Sequence, residues 1–474
     1  MNVLIPEALI RSLKGIKGFD EEAFTAVHKT GEQITSVRTN PAKMVNIKSS
    51  IVDIQSGNVP WSTNGFYLSE RPSFTLDPLF HAGAYYVQEA SSMFLEEALK
   101  QSVDLSKPLR ILDLCAAPGG KSTLVQSIMS NESLLVSNEV IRARVNILEE
   151  NITKWGVANV IVTNNDPADF RRLKNYFDAV IIDAPCSGSG LFRKDPGAIE
   201  EWSENNVELC GRRQQRILAD VMPALRPGGV LVYSTCSYSQ EEDELIADWL
   251  VDDLDLLSLH LQLKDEWNIV ETRSPKYSAY GYRFYPDKAK GEGFFIAGFR
   301  KKEEASGEWE EGDVKQQTIR DKTKEKAKRN NADKITKNEI DILKPWLKDA
   351  DALFFIKQNE EIIALPKHLE DELTAIQNTL YIKKAGVKMG AIIRNELIPD
   401  HELAVSTIID PAIRSVEADR ASALQYLRLE EIKLPACEKG WALVTYQHLP
   451  LGWVKLLPNR VNNYYPKPWR ILNK

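Results

Sequence analysis

The central part of the chain alternates short apolar runs with longer segments whose apolar residues recur at helical spacing. The runs LRILDLC, LLVSNE, NVIVTNND, FDAVIIDAP and GVLVYSTCS are typical of buried strands, and the segments that end near Ser130, Trp155 and Leu225 are typical of amphipathic helices. Repeated strand and helix alternation over residues 109–242 predicts an α/β fold with a doubly wound, mainly parallel sheet. Such sheets bind ligands at the carboxyl ends of their strands, so we expect the chemistry at that edge.

The regions on either side of this core follow different patterns. Helical patterns followed by the extended segment SVRTNPAK, in which Pro41 breaks any helix, predict a smaller α+β accessory domain at the N-terminus. Residues 303–337 carry an acidic run and then a basic run, which predicts a solvated linker. The later runs ALFFI, EIIAL, TLYIKK and GWALVTY predict a small β-rich domain. The predicted division is accessory domain 1–100, core 101–302, charged linker 303–340 and C-terminal region 341–474.

Composition narrows the class of protein. The chain has 474 residues, 43% of them hydrophobic, enough for two or three well-filled domains. Its five cysteines are widely spaced and odd in number, which disfavours a disulfide framework and a metal site and favours a reducing compartment. Without a signal-peptide core or a membrane-length apolar run, the sequence predicts a cytoplasmic protein. The net charge of -7 argues against indiscriminate coating of nucleic acid, so any such contact needs a local basic face.

One predicted strand-to-helix connection has the residues of a ligand loop. In ILDLCAAPGGKST, Gly119 and Gly120 allow close approach of the backbone, and the following helix N-terminus favours a nucleotide-like ligand. A phosphate-binding loop would need a glycine five residues before Gly120, where Cys115 stands, so the ATPase alternative loses its first anchor. A tight turn without a ligand is the other alternative for this segment alone.

Acidic residues end three successive predicted strands. Glu139 and Asp166 stand where a doubly wound sheet brings an acid against ribose hydroxyls or a base edge. Asp183 closes FDAVIIDAP, a run too apolar to end in a carboxylate unless that group faces a site or a helix terminus. Each acid alone would more often be a cap or a turn residue. Together they predict a ligand groove.

Two cysteines follow strand ends in loops of small residues. Cys186 stands in DAPCSGSG and Cys236 in YSTCSYS, at the edge where a thiolate nucleophile could work. The other candidates, Cys210 and Cys437, are predicted to be packing residues.

Two other cysteine chemistries fit this sequence poorly. A phosphatase would need an arginine six residues after Cys186, where Phe192 stands. A protease would need a histidine partner, and the nearest downstream histidine, His260, lies in an apolar stretch that resembles a helix. We therefore predict a structural role for His260.

The set ILDLCAAPGGK, SNE, NND, DAPCSGSG and STCS resembles the motifs of the Nop/Sun class of RNA cytosine carbon-5 methyltransferases. The resemblance extends through SVRTNPAK, YYVQEASSM and GEGFFIAGFRK. The C-terminal GWALVTYQHLPLGWVKLLPNRVNNYYPKPWR resembles the last domain of RsmF-type enzymes, which methylate bacterial small-subunit ribosomal RNA. Only the linker lies outside the resemblance. One departure is Asp287, which stands where many relatives carry histidine.

The resemblance implies a Rossmann-like methyltransferase core with an N-terminal α+β accessory RNA-binding domain and a small β-rich, PUA-like C-terminal domain. It implies that S-adenosylmethionine is the methyl donor, with Glu139 on its ribose and Asp166 beside its adenine. Asp183 is expected to border the same cofactor site. The loop expected to wrap the donor consists of Cys115, Ala116, Ala117, Pro118, Gly119, Gly120 and Lys121.

The resemblance also implies a covalent mechanism on RNA, with 16S ribosomal RNA as the preferred substrate. Cys236 would attack carbon 6 of cytosine, which turns the unreactive carbon 5 into an enamine-like nucleophile. Asp183 would stabilise the adduct at the N3 side of the ring, and Cys186 would assist release.

Basic residues around this edge form the candidate RNA-contacting set of a monomeric enzyme: Arg38, Lys43, Arg193, Lys194, Arg212, Arg213 and Arg216. The C-terminal aromatics Trp453, Tyr464, Tyr465 and Trp469 could stack on RNA bases or fill the core of the small domain. Transfer RNA is the alternative substrate. A non-catalytic ribosome-assembly factor is the alternative of another class, but it would be expected to have lost one of the two cysteine motifs, and both are intact.

Overall fold

A computed structural model describes residues 5–44, 50–303, 335–432 and 438–472 of the chain. Most of the predicted linker and Cys437 lie outside these residues. The last residues assigned to the linker, 337–340, begin a helix. None of the helices in the described ranges combines the length and the apolar character needed to cross a membrane.

The N-terminal part is an antiparallel sheet flanked by helices, which confirms the predicted α+β class. The elements are α1 Glu7–Leu13, α2 Glu21–Thr30, β1 Thr35–Thr39, α3 Ser50–Asp53, β2 Gln55–Asn58, β3 Gly65–Leu68, α4 Pro78–His81, β4 Tyr85–Val87 and α5 Leu95–Ser102. The sheet has the order β2-β3-β1-β4. The side chain of Asp20 accepts a hydrogen bond from the amide of Ala23 and caps α2.

The core contains the predicted strand and helix alternation, followed by further strands. Its elements are β5 Arg110–Asp113, α6 Gly120–Ile128, β6 Leu134–Asn138, α7 Arg142–Trp155, β7 Val160–Thr163, β8 Phe177–Asp183, α8 Gly197–Glu201, α9 Glu204–Val221, β9 Leu225–Thr235, α10 Glu244–Asp252, β10 Leu256–Leu259, β11 Val270–Arg273, β12 Tyr280–Phe284 and β13 Phe294–Lys301.

The core sheet confirms the doubly wound prediction. Strands β7, β6, β5, β8 and β9 are parallel neighbours in that order, and antiparallel β13, β12 and β11 continue beyond β9. The chain moves from β5 first to one side and then to the other, so a crevice opens at the carboxyl end of β5. Because apolar side chains pack on both faces, β6 and β7 are buried along their whole length.

The apolar stretch near His260 is a strand and not a helix. His260 directly follows β10, which pairs with β13. Its Nε2 lies 3.0 Å from the carboxylate of Glu271, and its ring stacks on Tyr280. The helical prediction was wrong because a short apolar run does not distinguish a helix from an edge strand without its pairing partner.

The C-terminal part is β-rich, as predicted. Its elements are α11 Lys337–Leu343, β14 Leu353–Gln358, β15 Glu361–Pro366, α12 Glu370–Gln377, β16 Ile382–Ala385, β17 Val387–Ile393, β18 Glu396–Pro399, α13 His401–Val405, β19 Ser415–Glu417, α14 Arg420–Leu427, β20 Gly440–Tyr446, β21 Leu449–Leu457 and β22 Arg460–Asn463. Its two four-stranded sheets have the orders β14-β15-β17-β18 and β19-β20-β21-β22. Strand β16 instead pairs with β7, so this part also supplies an edge strand to the core sheet.

The four C-terminal aromatics divide between core and surface. Trp453 and Tyr465 are buried in the apolar clusters of this part, where no RNA base could stack on them. Trp469 is half-buried and packs against the same clusters. Tyr464 is exposed, and its ring contacts Trp441 with a centroid separation of 4.6 Å.

A buried ionic network anchors the loop that follows β9. Arg283 on β12 donates to both oxygens of Glu244, at 2.7 and 2.5 Å, and lies 3.2 Å from Asp243. It also donates to the carbonyl oxygen of Tyr238. The three charged side chains are almost completely buried, so each charge depends on the others for compensation.

Arg283→Met should strongly destabilise the fold, because it leaves two carboxylates buried without their cation. We expect the free energy of unfolding to fall by about 3–5 kcal/mol, measured by urea denaturation followed by circular dichroism. The control is Arg273→Met on neighbouring β11, whose side chain is 44% exposed. That change should cost less than about 1 kcal/mol. Similar small losses in both variants would contradict the importance of the network.

Candidate active site

The carboxyl ends of three parallel strands bring the sequence motifs to one edge of the sheet. In the register of the sheet, Asp113 on β5 pairs with Ile181 on β8, and Asp183 on β8 pairs with Ser234 on β9. The loops that contain residues 115–121, 184–190 and 236–239 therefore leave the sheet side by side. This convergence places the glycine-rich loop and both cysteine loops around one crevice.

The two predicted catalytic cysteines are in contact. The Sγ atoms of Cys186 and Cys236 lie 3.0 Å apart, and both side chains are partly exposed. The hydrogen bond with Cys236 raises the pKa of Cys186 well above its ordinary value, and burial and the charge of Cys236 raise it further. Cys186 is therefore held as a thiol in contact with the sulfur of Cys236.

Asp183 ends β8, three residues before Cys186, and is held by two neighbours. Its Oδ2 is 2.7 Å from Nζ of Lys121, and its Oδ1 accepts a hydrogen bond of 2.8 Å from the hydroxyl of Ser234. Lys121 is 12% exposed and Asp183 is 37% exposed, so the carboxylate is the partner that reaches the crevice. Its fixed orientation suits it to contact a polar ring atom in the crevice.

The glycine-rich loop lines a cavity between this edge and the N-terminal part. Gly119 has a φ of +117° and starts α6, and a Cβ there would lie 3.3 Å from Leu148 on α7. Gly119 therefore allows the tight turn before α6 and does not line the cavity. Helix α7 also fixes the loop, because Arg144 donates to the carbonyl of Ala117 at 2.6 Å. The lining residues are Tyr86, Val87, Gln88, Glu89, Ser92, Cys115, Ala116, Ala117, Pro118, Gly120, Lys121, Asp183 and Lys194.

The charge of the site fits a cationic methyl donor. Asp113, which sequence reasoning missed, is fully buried beneath the loop, and its Oδ1 has no hydrogen-bond partner among the described residues. Its pKa is raised to about 7, chiefly by burial, with smaller contributions from the charges of Asp183 and Glu139. S-adenosylmethionine carries a sulfonium and an ammonium group, which the negative charge of Asp183 in the lining would stabilise. In the described ranges, no cluster of three or more His, Cys, Asp or Glu side chains could hold a metal ion.

The other two predicted cofactor ligands lie outside the lining of this cavity. Glu139 is buried; its carboxylate accepts a hydrogen bond from the amide of Ile141 and lies 3.5 Å from Arg144. Asp166 is exposed and caps the 3-10 helix Pro167–Arg172 by accepting from the amide of Ala168. Their assignments to the ribose and the adenine stay predictions.

The RNA-contact predictions for Arg38 and Lys43 were wrong. Arg38 is 1% exposed and stacks over Trp155 at 4.6 Å, and its guanidinium also donates to Gln88. The ammonium of Lys43 donates to three backbone carbonyl oxygens, those of Ala82, Lys154 and Val405. Both cations are used to join the N-terminal part to the rest of the protein, which a sequence pattern of isolated basic residues does not reveal.

The prediction that Arg193 contacts RNA was also wrong, whereas the predictions for Lys194, Arg212 and Arg216 remain open. Arg193 is 3% exposed, and its Nε lies 3.0 Å from the buried carboxylate of Glu292. The adjacent Lys194 is exposed and lines the cavity. On α9, Arg212 and Arg216 are exposed as well, although Arg212 pairs with Glu208. Cys210, on the same helix, is buried as predicted.

Sequence reasoning missed a buried carboxylate that lies behind both cysteine loops. Glu242 accepts hydrogen bonds from the hydroxyls of Ser187 and Ser237, the residues that follow the two cysteines. In the sequence, Glu242 stands in the run QEEDE ahead of a helix, where acids are usually exposed and favourable to the helix dipole. No local signal separates it from such acids.

Comparisons with known proteins agree with this geometry. Residues 101–300 match the family model of the 16S rRNA methyltransferase RsmB/F, residues 5–90 that of the N-terminal domain of 16S rRNA methyltransferase RsmF, and residues 413–471 that of the RsmF PUA domain. Ribosomal RNA small subunit methyltransferase F of Escherichia coli K12 is 30% identical over 421 residues, which cover 86% of this chain and 84% of the relative. The protein of the same name from Shigella boydii serotype 18 has the same identity and coverage.

Solved structures carry the same core. PH0851 superposes with a TM-score of 0.54 and 25% identity, over 63% of this chain and 67% of its own. NSun6 from Pyrococcus horikoshii, at 20% identity and a TM-score of 0.51 over 64% of this chain and all of its own, shares the fold. The identity to the curated relatives extends over most of both chains, and all three RsmF-related models match in order. This chain belongs to the RsmB/F family of S-adenosylmethionine-dependent rRNA methyltransferases, in its RsmF branch.

Proposed function

We propose that this protein methylates carbon 5 of a cytosine in 16S ribosomal RNA, with Cys236 as the covalent nucleophile. The observation that carries the proposal is the contact between Cys186 and Cys236, at 3.0 Å, beside the ion-paired Asp183. A methyltransferase acting on a more nucleophilic atom needs no covalent cysteine, whereas carbon 5 of cytosine does. The family of the chain supports the same substrate.

S-adenosylmethionine would be held by residues 115–121, with Asp113 beneath them and Glu139 and Asp166 toward its nucleoside half. When bound, it supplies an electrophilic methyl group. Lys121 contributes through its ion pair with Asp183, which keeps that carboxylate oriented at the mouth of the cavity. The backbone turn at Gly119 brings the loop close to the ligand.

Cys236 starts the reaction on the base by attacking carbon 6, which forms a carbon–sulfur bond and moves the electron pair of the C5–C6 double bond onto carbon 5 and, by conjugation through carbon 4, toward N3. N3 takes up a proton from solvent, and the carboxylate of Asp183 accepts a hydrogen bond from that N–H, which disperses the charge. Once carbon 5 carries the methyl group, the protons on carbon 5 and N3 pass to solvent, the C5–C6 double bond returns, and the bond to sulfur breaks. Cys186 supports that departure because its thiol can donate a hydrogen bond to the leaving sulfur.

The RNA would approach the exposed residues around the cavity. Lys194 lies at the cavity itself, while Arg212 and Arg216 extend the basic surface along α9. We assign RNA binding also to residues 1–100 and 341–474, where Tyr464 offers an exposed ring for stacking. A paired target would have to be flipped out of its helix to reach Cys236. We place the enzyme in the cytoplasm as a monomer.

Loss of the gene should remove one cytosine that resists bisulfite conversion in 16S ribosomal RNA. The wild-type gene should restore protection and Cys236→Ala should not, because no adduct can form. Cys210→Ala, which changes a buried cysteine on α9 outside the two cysteine loops, should restore it. Bisulfite sequencing of total RNA makes the measurement. An unchanged 16S pattern, or a change in transfer RNA alone, would contradict the proposed substrate.

Cys186→Ala should trap the covalent intermediate, because attack by Cys236 continues while release is impaired. We expect a complex of protein and RNA that survives denaturing electrophoresis and accumulates when the methyl donor is present. The double variant Cys186→Ala, Cys236→Ala should give no such complex. Trapping by the double variant would show that another residue is the nucleophile.

Lys194→Ala should weaken binding of a 16S fragment at unchanged stability and reduce the slope of log affinity against log salt by about one.

Arg193→Ala should instead lower the free energy of unfolding, by about 3–5 kcal/mol, because it leaves Glu292 buried without its cation. Lys107→Ala, at the opposite edge of the sheet and 72% exposed, should change neither quantity. Fluorescence anisotropy at several salt concentrations and urea denaturation separate the three variants.

A further inference from the structure

The buried carboxylate of Glu242 connects the two cysteine loops through hydrogen bonds to Ser187 and Ser237. It is fully buried. One oxygen accepts hydrogen bonds from the backbone amide of Ser187, at 2.8 Å, and from the side-chain amide of Gln214, at 3.3 Å. The other accepts from the hydroxyls of Ser187 and Ser237, at 2.5 and 2.6 Å.

The four nitrogen and oxygen donors that the described part of the chain offers to Glu242, and the neighbouring thiol of Cys210, are all neutral. This distinguishes Glu242 from Asp243 and Glu244, which lie against Arg283. Burying a carboxylate with only neutral donors is unfavourable, and burial raises the pKa of Glu242. A group that merely fills space here would be more stable as an apolar side chain, so the arrangement indicates a role beyond packing.

The residues that Glu242 holds are those next to the sulfurs. Ser187 directly follows Cys186 and Ser237 directly follows Cys236, so one carboxylate oxygen fixes both neighbours at once. Other contacts also join the loops. The amide of Gly190 donates to the carbonyl of Cys236, and the amide of Tyr238 donates to the hydroxyl of Ser189. The hydroxyl of Ser237 lies 3.3 Å from that of Ser187 and 3.5 Å from that of Ser189. The serine contacts are longer than the bonds of Ser187 and Ser237 to Glu242, so the carboxylate is the closer connection between the residues next to the two sulfurs.

We propose that Glu242 is a positioning residue that sets the distance between the two cysteine sulfurs, so that nucleophile and release group act as a pair. This inference rests on the proposed function for its catalytic meaning, but the geometry it describes can be tested without RNA. Its charge has a second effect, because the negative charge of Glu242 contributes to the raised pKa of Cys186 and so helps to keep that residue a thiol.

Two substitutions separate the effect of the hydrogen bonds made by Glu242 from the effect of its negative charge. Glu242→Ala removes all four hydrogen bonds. Glu242→Gln keeps them: its oxygen can accept from the amides of Ser187 and Gln214, and its amide nitrogen can donate to the two serine hydroxyls, which turn to accept. The matched control is Glu241→Ala, which removes an exposed carboxylate one residue earlier. Ser237→Ala removes one of the donors and leaves Glu242 in place.

The first readout is the rate at which diamide links Cys186 to Cys236, followed by peptide mass mapping. Two thiols lose two electrons and two protons, diamide is reduced to its hydrazine, and one disulfide forms. Proximity controls this rate, so Glu242→Ala should slow it by about tenfold or more relative to the wild type. Glu242→Gln should stay within about threefold of the wild type, and Glu241→Ala should be unchanged.

The second readout is methylation of a 16S fragment, with melting curves to confirm that each variant is folded. Glu242→Ala should lower kcat by about 100-fold with little change in KM for RNA, and Glu242→Gln should recover most of the rate.

If Glu242→Ala does not fold, Ser237→Ala provides the test, and it should lower both the rate of disulfide formation and kcat. A folded Glu242→Ala, or failing that Ser237→Ala, that forms the disulfide at the wild-type rate would overturn the proposal. Slow disulfide formation without methylation of the 16S fragment by the wild type would support the positioning role and reject the proposed substrate.

Discussion

Three consecutive acids, Glu242, Asp243 and Glu244, are buried directly behind the loop of Cys236, and the arrangement of the active site depends on how their charges are compensated. Each carboxylate would be unfavourable in the interior by itself. Asp243 accepts a hydrogen bond from Thr235, the last residue of β9, and Glu244 pairs with Arg283. Glu242 accepts from Ser237 and Asp243 from Thr235, on either side of Cys236, and the Arg283 that Glu244 holds donates to the carbonyl of Tyr238. The position of Cys236 is therefore fixed by several interactions and not by the loop sequence alone.

The parallel sheet supplies the second constraint. Strand order reverses at β5, so the loops after β5, β8 and β9 open onto one crevice, and residues separated by more than a hundred positions meet there. Two contacts at the site, between Cys186 and Cys236 and between Lys121 and Asp183, both cross from one strand end to another. The same edge therefore brings together the glycine-rich loop and the proposed nucleophile, Cys236.

The accessory parts are attached to this core through buried polar contacts. Lys43 donates to carbonyls of the N-terminal part, of α7 and of α13, and so joins three regions with one ammonium group. On the other side, β16 extends the core sheet beside β7, and Asn165 exchanges hydrogen bonds with the backbone of Tyr381 just before that strand. The loop that contains Asp166 is thus supported by the C-terminal part, which ties the region assigned to the methyl donor to a region assigned to RNA.

The sequence by itself determined the fold class, the motif loops and the identity of both cysteines, because apolar periodicity and short motifs are properties of neighbouring residues. Short stretches of sequence were enough to identify Pro41 after β1, the acids near the strand ends and the small residues around Cys186 and Cys236. Only the tertiary structure decided which charges face solvent. Arg38 and Arg193, which were predicted to contact RNA, are buried, and the ammonium of Lys43 is bonded to three backbone carbonyls. Glu242, which sequence reasoning did not single out, lies behind the two cysteines. Burial and pairing of a charge depend on segments distant in the chain, so no local pattern encodes them.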